Sequence, residues 1–181
     1  MACADEIPNL QVLERDPIRR AIPGHVEPRE FEYTRHGTVN LLLFLTVHTG
    51  QMRLAVLGAN DAEHYIPALR EFRRWHRGLK GVYLVHDGGP SHVAATTADY
   101  LRRRGGWWRP PVDAMHASWL NQAEMLVNAF KRRCLKRGSW RSREELIEHA
   151  WPHGRSTPAL PTLNWTWTND QMRRWFATHA Q

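Results

Sequence analysis

Cysteine, long apolar runs and a secretory signal are scarce or missing in this 181-residue chain, and each absence excludes a class of protein. Cys3 and Cys134 are the two cysteines, too few for a disulfide framework or a four-ligand zinc site built on thiolates. The longest strongly apolar run, Leu41 to Val47, is far shorter than the ~20 residues of a membrane span. The segment from Met1 to Glu6 lacks both the basic and the apolar part of a signal peptide, so we expect a soluble, cytoplasmic protein without membrane partners.

The composition is that of a folded globular protein. Hydrophobic residues make up 42% of the chain and charged residues 24%, which excludes wholesale disorder. The length suits one compact domain with an appendage. We therefore expect a domain over residues 1–150, followed by a proline-rich segment and a C-terminal helix over residues 151–181.

Positive charge is concentrated in one part of the chain. The formal net charge is +7, and residues 101–145 carry 11 basic against 4 acidic residues, which accounts for the whole excess. Such a block predicts an anionic partner, most often nucleic acid, although a solvated basic face is the alternative. Tryptophans at 107, 108, 119 and 140 are interleaved with it. Their rings suit either stacking on bases or packing in the core.

Apolar periodicity and turn residues predict a mixed order of strands and helices. The predicted extended segments are Ala2–Glu6, Phe31–Arg35, Val39–His48, Met52–Leu57, Gly81–His86 and Trp107–Val112. The predicted helices run from Asn60 or Asp61 to Arg77, from a Ser91 cap to Arg104, from Asn121 to Arg137 with Gly138 as C-cap, from Ser142 to Ala150, and from Thr168 to Ala180. We expect residues 7–30 and 152–167 to be irregular or extended. Strands first, then alternating elements, then helices indicate a mixed α/β domain.

Three acidic residues stand where such folds place their sites. Asp5 ends the first predicted strand, Asp87 follows a strongly apolar strand, and Glu124 lies in the first turn of a helix. Each has a simpler interpretation as well. Asp5 could be a solvated terminal residue, Asp87 a turn former before two glycines, and Glu124 the partner of Asn121 in a capping box.

Clustered carboxylates need a neutralising cation, and hard oxygen ligands select Mg²⁺ or Mn²⁺. Two such ions can clamp the attacking and leaving oxygens of a phosphoryl displacement. On the helix that carries Glu124, positions 120, 123, 127, 130 and 134 form an apolar stripe. Positions 121, 124, 128 and 131 form a polar stripe beside it, with Arg132 close by, which suits a phosphate backbone.

Five collinear segments, which lie between residues 2 and 142, carry a family resemblance. They are Cys3-Ala-Asp-Glu6, Tyr33-Thr-Arg-His-Gly-Thr38, Leu84-Val-His-Asp-Gly-Gly-Pro-Ser-His92, His116-Ala-Ser-Trp-Leu-Asn-Gln-Ala-Glu124 and Lys136-Arg-Gly-Ser-Trp-Arg-Ser142. In these segments the chain resembles the catalytic domain of mariner-superfamily insertion-sequence transposases, members of the acidic-triad (DDE) endonuclease group.

The resemblance implies an α/β, RNase H-like fold, a mixed sheet flanked by helices with a helical C-terminal extension. It implies that Asp5, Asp87 and Glu124 bind two Mg²⁺ or Mn²⁺ ions and catalyse cleavage at transposon ends and 3′-OH attack on target DNA. Asn121 would support Glu124 or the scissile phosphate. His92 is a further supporting candidate beside the site, and a local hydrogen bond at a helix N-terminus is its alternative role.

The resemblance also implies the DNA contacts and the partners. Eight residues are predicted to bind DNA: Arg35, Trp119, Lys131, Arg132, Arg133, Lys136, Arg137 and Arg141. The partners would be transposon ends and target DNA, with a homodimer on DNA, in the nucleoid of a bacterial cell.

The chain departs from the family pattern in two places. Gly88 stands where the family usually has Asn, and the amide missing there would loosen the support of Asp87. The N-terminal helix-turn-helix region is absent before Asp5. A split reading frame that supplies this half separately, a truncated chain and a decaying remnant all remain open. So do two other functions, an inactive DNA-binding remnant and an RNase H-like nuclease of another role.

Overall fold

The computed structural model describes residues 1–15, 33–103, 106–109, 121–136 and 138–155, with positions 170, 171, 174 and 177. The strands are β1 (Ala2–Arg15), β2 (Tyr33–Thr46), β3 (Gln51–Leu57), β4 (Val82–Val85) and β5 (Trp108–Arg109). The helices are α1 (Ala62–Trp75), α2 (Pro90–Val93), α3 (Ala95–Arg103), α4 (Ala123–Phe130) and α5 (Arg143–Arg155), and a π-helical segment (Lys131–Leu135) follows α4. No helix among these residues is long and apolar enough to cross a membrane.

The strands form one mixed sheet in the order β3-β2-β1-β4-β5. β2 runs antiparallel to both β1 and β3, whereas β4 runs parallel to β1 and to β5. β1 therefore lies at the centre, and the antiparallel and parallel halves of the sheet meet at it. This is the mixed α/β architecture expected from the sequence.

β1 and β2 are longer than predicted. The first strand was expected to end at Glu6, but β1 continues to Arg15 because register shifts after Ile7 and Gln11 accommodate Pro8 and keep Val12 buried. The two strands predicted on either side of residues 36–38 are one strand, β2. Gly37, with a φ of +92°, lies in β2 opposite the second irregularity.

Each face of the sheet packs against its own helices. On one face, α4, the π-helical segment and α5 cover Cys3, Ile7 and Leu43 of the strands. On the other face, α1 buries Tyr65, Leu69 and Phe72, and the partly buried Tyr100 and Leu101 of α3 pack against the same cluster. Asp5 and Glu6 are adjacent on β1 and so point to opposite faces.

The helices follow the prediction in position but not always in their ends. The Asp61 carboxylate caps α1 by accepting from the His64 backbone N–H at 3.0 Å, as predicted, although α1 continues through Pro67. Ser91 does not cap the next helix, which begins after Gly89 and breaks at Ala94 into α2 and α3.

The predicted helix from Asn121 to Arg137 is corrected in the same way. α4 ends at Phe130 and the chain continues as the π-helical segment, whose C-cap is Lys136. Gly138 is not a left-handed C-cap. A β-carbon at Gly138 would lie 2.1 Å from the ring of the buried Trp140, so the glycine is needed for space.

The end of the described chain also differs from expectation. α5 was expected to end at Ala150 but extends to Arg155, past the predicted start of an extended segment. The rest of that segment lies outside the described residues. The four described positions of the predicted C-terminal helix are helical.

Candidate active site

The register of the central parallel strands brings the first two acidic residues to one edge of the sheet. Cys3 of β1 pairs with Val85 of β4, and Asp5 and Asp87 each stand two residues further along their chains. Asp5 lies on the face of β1 that carries Cys3 and Ile7, which is the face covered by α4. The third acidic residue, Glu124, is exposed in the first turn of α4.

Asn121 anchors the start of α4 to β1. Its side chain is 5% exposed, and Nδ2 donates a hydrogen bond to the carbonyl oxygen of Ala4 at 3.0 Å. Its Oδ1 accepts from the backbone N–H of Ala123 at 3.3 Å. These bonds hold the first turn of α4 beside the residue that precedes Asp5. The Glu124 side chain makes no hydrogen bond to any described residue, and Asn121 Oδ1 accepts from Ala123, so the capping-box alternative is not formed there.

Burial and the other two carboxylates act on the ionisation of Asp5. Burial, together with the negative charges of Asp87 and Glu124, raises the pKa of Asp5 to about 6. A hydrogen bond from the Glu6 backbone N–H, at 2.9 Å to Asp5 Oδ1, and the positive charge of Lys131 oppose that shift. Asp5 therefore lies within the field of both other carboxylates and of one lysine.

A buried histidine holds the second carboxylate. His92 is 3% exposed, and its Nδ1 lies 2.6 Å from Asp87 Oδ1, which also accepts from the Gly89 backbone N–H at 3.1 Å. On its other side, His92 Nε2 lies 3.2 Å from Glu6 Oε1. Burial alone would lower the pKa of His92, but Glu6 and Asp87 outweigh it and raise that pKa. Asp87 thus makes the turn hydrogen bond with Gly89, which was its simpler interpretation, and also a contact with the buried His92.

Glu6 and Ser91 are members of this cluster that the sequence reading did not single out. Ser91 Oγ donates to Glu6 Oε1 at 2.7 Å. Burial would raise the pKa of Glu6, but its bonds to His92 and Ser91 lower it. The fully buried ring of Tyr65 packs on His92 with centroids 4.6 Å apart. The sequence did carry one sign of this role for Glu6. Side chains alternate along a strand, so Glu6 had to point to the face of β1 opposite Asp5.

The donor chemistry of Asp5, Asp87 and Glu124 fits a hard divalent cation. All three offer carboxylate oxygens, and Asp87 Oδ2 makes no hydrogen bond to a described residue. Burial first, and then the negative charges of Asp87 and Glu124, raise the pKa of Asp5, and a bound cation would oppose this shift. Within the described part of the chain, however, no group of three or more His, Cys, Asp or Glu side chains is gathered closely enough to hold a metal ion.

The predicted DNA-binding residues fall into two groups. Lys131 and Arg132 are exposed at the start of the π-helical segment and, with Asn128, line an open cavity of about 360 Å³. Arg35 pairs with Leu13, and Arg141 Nε lies 3.4 Å from Glu14 Oε1. That end of β1 is roughly 25 Å from Asp5 at the ordinary rise of a strand.

Of the remaining predicted contacts, Arg133 and Lys136 are exposed, whereas Trp119 and Arg137 lie outside the described residues. The other tryptophans of the basic stretch are part of the core. Trp107, Trp108 and Trp140 are 8%, 2% and 6% exposed. Packing, not base stacking, therefore accounts for these three rings.

Solved structures of the Mos1 transposase share this fold. The Mos1 transposase paired-end complex with left transposon end matches with a TM-score of 0.67 at 17% identity, over 96% of this chain and 52% of that chain. The Mos1 mariner paired-end complex with Mn matches with a TM-score of 0.64 at 19% identity, over 96% and 53% of the two chains. The chain thus spans about half the length of these relatives. The likeness confirms the expected RNase H-like fold.

Among curated proteins, no sequence matches. A family model described as DDE superfamily endonuclease matches residues 1–147, which include all three acidic residues and most of the described structure. The resemblance drawn from the five motifs is therefore confirmed at the level of the family. The chain belongs to the DDE superfamily endonucleases.

Proposed function

We propose that this chain is the catalytic domain of a DNA transposase, which cleaves phosphodiester bonds at transposon ends and joins the 3′-OH ends to target DNA. The observation that carries the proposal is the register of the parallel strands β1 and β4, which sets Asp5 and Asp87 side by side, with the charges of Asp87 and Glu124 both acting on Asp5. Membership of the DDE endonuclease family supports the same reaction class.

Asp5, Asp87 and Glu124 would hold two Mg²⁺ or Mn²⁺ ions, which supply a clamp on the attacking and leaving oxygens of a phosphodiester. Within the chain, Asn121 fixes α4 to β1 and so sets where Glu124 stands relative to Asp5. His92 orients Asp87 through the contact of its Nδ1 with Asp87 Oδ1. Lys131, whose charge reaches Asp5, would bind a DNA phosphate next to the carboxylates.

The names of the similar structures suggest how the domain would work. They describe paired-end complexes of Mos1 transposase and complexes with Mn and with Mg. By analogy, we propose that this chain acts as a homodimer on paired transposon ends. In this view residues 1–150 are the catalytic domain, and residues 151–181 are an extension of it.

The proposal is tested by nicking of supercoiled plasmid with Mn²⁺ and with EDTA. The wild type should convert plasmid to the open circle only with metal, and Asp87→Ala should abolish conversion. Asp99→Ala is the matched control, because Asp99 is a surface carboxylate paired with Arg102 at 2.6 Å and should leave nicking unchanged. Nicking that persists in Asp87→Ala would refute the assignment.

Two observations favour a second candidate, a DNA-binding domain without catalysis. Gly88 replaces the usual Asn, and the described carboxylates are not gathered into a metal-binding cluster. A folded wild-type protein that binds DNA but never nicks it, in Mn²⁺ or in Mg²⁺, would support this candidate over the enzyme.

A further inference from the structure

An arginine-lined groove lies on the face of the sheet opposite Asp5. It runs between α1, α3 and β5 and encloses a cavity of about 540 Å³. Its lining residues are Arg70, Arg73, Arg74, Arg77, Tyr100 and Trp107. None of them belongs to the DNA contacts predicted from the sequence. The groove sits on the α1 side of the core, whereas Asp5 faces α4.

The four arginines form one stripe. They stand at spacings of three and four along α1 and the turn after it, which places them on a single side of the helix. Arg70, Arg74 and Arg77 are exposed and Arg73 is half-buried. At 1.5 Å per residue the stripe is about 10 Å long, which matches about three phosphates of one DNA strand at 3.4 Å spacing along the axis.

The positive charge of the stripe is uncompensated. No Asp or Glu lines the groove, and among the described residues none of its arginines makes an ion pair with a carboxylate. Asp99, the acidic residue on the neighbouring helix, is paired with Arg102. Like charges at such spacings destabilise a helix, so the arrangement needs an anion to be favourable.

The aromatic residues pre-position two of the arginines. The Arg70 guanidinium lies 5.6 Å from the ring centre of Tyr100, and that of Arg73 lies 5.7 Å from the ring centre of Trp107. Trp107 is itself fixed by donating Nε1–H to the Leu79 carbonyl oxygen at 2.9 Å. A guanidinium held on a ring keeps its N–H donors free for an external acceptor.

Stabilisation of the helix C-terminus explains only part of this arrangement. Arg73 and Arg74 lie in the last turn of α1, where cations favour the helix dipole. Arg70 lies further from that end, and the dipole does not account for the packing of Arg70 and Arg73 on rings from other elements.

We infer that this groove binds the phosphodiester backbone of duplex DNA without regard to base sequence. Guanidinium forks match phosphate oxygens, and contacts to phosphates carry no base information directly. The choice of DNA as the polyanion rests on the proposed function. Because the groove lies on the face of the sheet opposite Asp5, the phosphates bound here are not those next to Asp5.

The test is binding of a fluorescent random-sequence 30-base-pair duplex in EDTA at several salt concentrations, followed by anisotropy. EDTA prevents cleavage, so the result does not depend on catalysis. The variant R70Q/R74Q/R77Q removes the three exposed charges, and R70K/R74K/R77K keeps them. R102Q is the matched control, because Arg102 is an exposed arginine already neutralised by Asp99.

The slope of log affinity against log salt should become shallower by about 2.7 in R70Q/R74Q/R77Q, which reduces the affinity loss between 50 and 200 mM salt by about 40-fold. The lysine variant should keep most of the slope, and R102Q should resemble the wild type. Unchanged melting temperatures would show that each variant folds.

A glutamine variant that binds DNA like the wild type would overturn the inference. The same holds if the glutamine variant loses affinity for only one duplex sequence. It holds as well if the variant loses affinity for inorganic polyphosphate, used as a competitor, but not for DNA. A wild type that binds no duplex at any salt concentration would overturn the proposed function as well.

Discussion

At the scale of single residues, the candidate site depends on how each carboxylate is held. Asp5 is half-buried and accepts from one backbone N–H, and Asp87 contacts a buried histidine. The side chain of Glu124 has no hydrogen-bond partner among the described residues. The identity of the three residues was predicted from their places at strand ends and in a first helical turn. Of the residues that hold Asp87 in place, only His92 was predicted. Glu6 and Ser91 escaped the sequence reading because they become neighbours only when β1 packs beside α2.

Asp5→Asn should stabilise the metal-free protein at neutral pH. The pKa of Asp5, about 6, lies above its ordinary 3.8, so the folded state binds this proton more tightly than the unfolded state. The resulting stability is fully present below pH 4 and is lost as the pH rises through 6. Thermal unfolding in EDTA should show a higher melting temperature for Asp5→Asn at pH 7.5, with the gap closing towards pH 4. A lower melting temperature at pH 7.5 would contradict this.

His92→Ala should weaken nicking about 10- to 100-fold, the usual effect of losing a residue that orients a metal ligand. The Mn²⁺ concentration for half-maximal nicking should rise as well, because Asp87 loses the 2.6 Å contact that orients it. Titration of nicking against Mn²⁺ measures both quantities. Tyr83→Phe, at an exposed position of the neighbouring strand β4, is a control that should change neither.

Gly88→Asn tests the departure from the family pattern. A β-carbon at Gly88 would meet no atom within 4 Å, so the substitution should change the free energy of unfolding by less than about 0.5 kcal/mol. If the amide supports Asp87 as the family pattern implies, the nicking rate should increase. Equal nicking rates in the variant and the wild type would show that glycine at position 88 does not reduce activity.

At the scale of elements, periodic patterns predicted the helices better than the strands. The predicted apolar stripe was correct at Ala123, Val127 and Phe130, which are buried, whereas Cys134 is only partly buried and position 120 lies outside the described residues. The length of β1 could not be predicted, because its continuation past Pro8 depends on irregular pairing with β2, which comes later in the chain. The π-helical segment was missed for a similar reason. Its extra residue per turn leaves no mark in the residue types of Lys131–Leu135.

Gly138→Ala should destabilise the fold by about 1–3 kcal/mol, the usual cost of overpacking. The added methyl would displace the Trp140 ring, which is 6% exposed and packs in the core beneath α5. Urea unfolding measures the change. Gly78→Ala is the matched control, because a β-carbon there meets nothing within 4 Å and the free energy of unfolding should stay within about 0.5 kcal/mol.

At the scale of the whole molecule, net charge along the sequence gave an incomplete picture of the surface. Residues 61–100 carry 5 basic and 5 acidic residues, so their sum suggested no anion site. In the structure the arginines gather on one side of α1, while Asp99 pairs elsewhere. Conversely, the single basic block predicted from the sequence is divided between the neighbourhood of Asp5 and the distant end of β1.

DNA affinity should fall steeply with salt, and the two basic surfaces should contribute separately. The double variant K131A/R132A should make the slope of log affinity against log salt shallower by about two, independently of the groove variant. Combining both sets of substitutions should add the two changes, because the residues are far apart on opposite faces of the sheet. Anisotropy in EDTA over a salt series measures these slopes. A slope unaffected by K131A/R132A would mean that this surface is only solvated.

The account rests on one claim, that Asp5, Asp87 and Glu124 together form a metal site. The most direct measurement is Mn²⁺ binding to purified protein by electron paramagnetic resonance, with the wild type beside Asp5→Asn, Asp87→Asn, Glu124→Gln and the surface control Asp99→Asn. The account predicts saturable binding by the wild type and the control, and a marked loss of affinity in each of the other three. Binding that is absent from the folded wild type, or unchanged in all three variants, would contradict it.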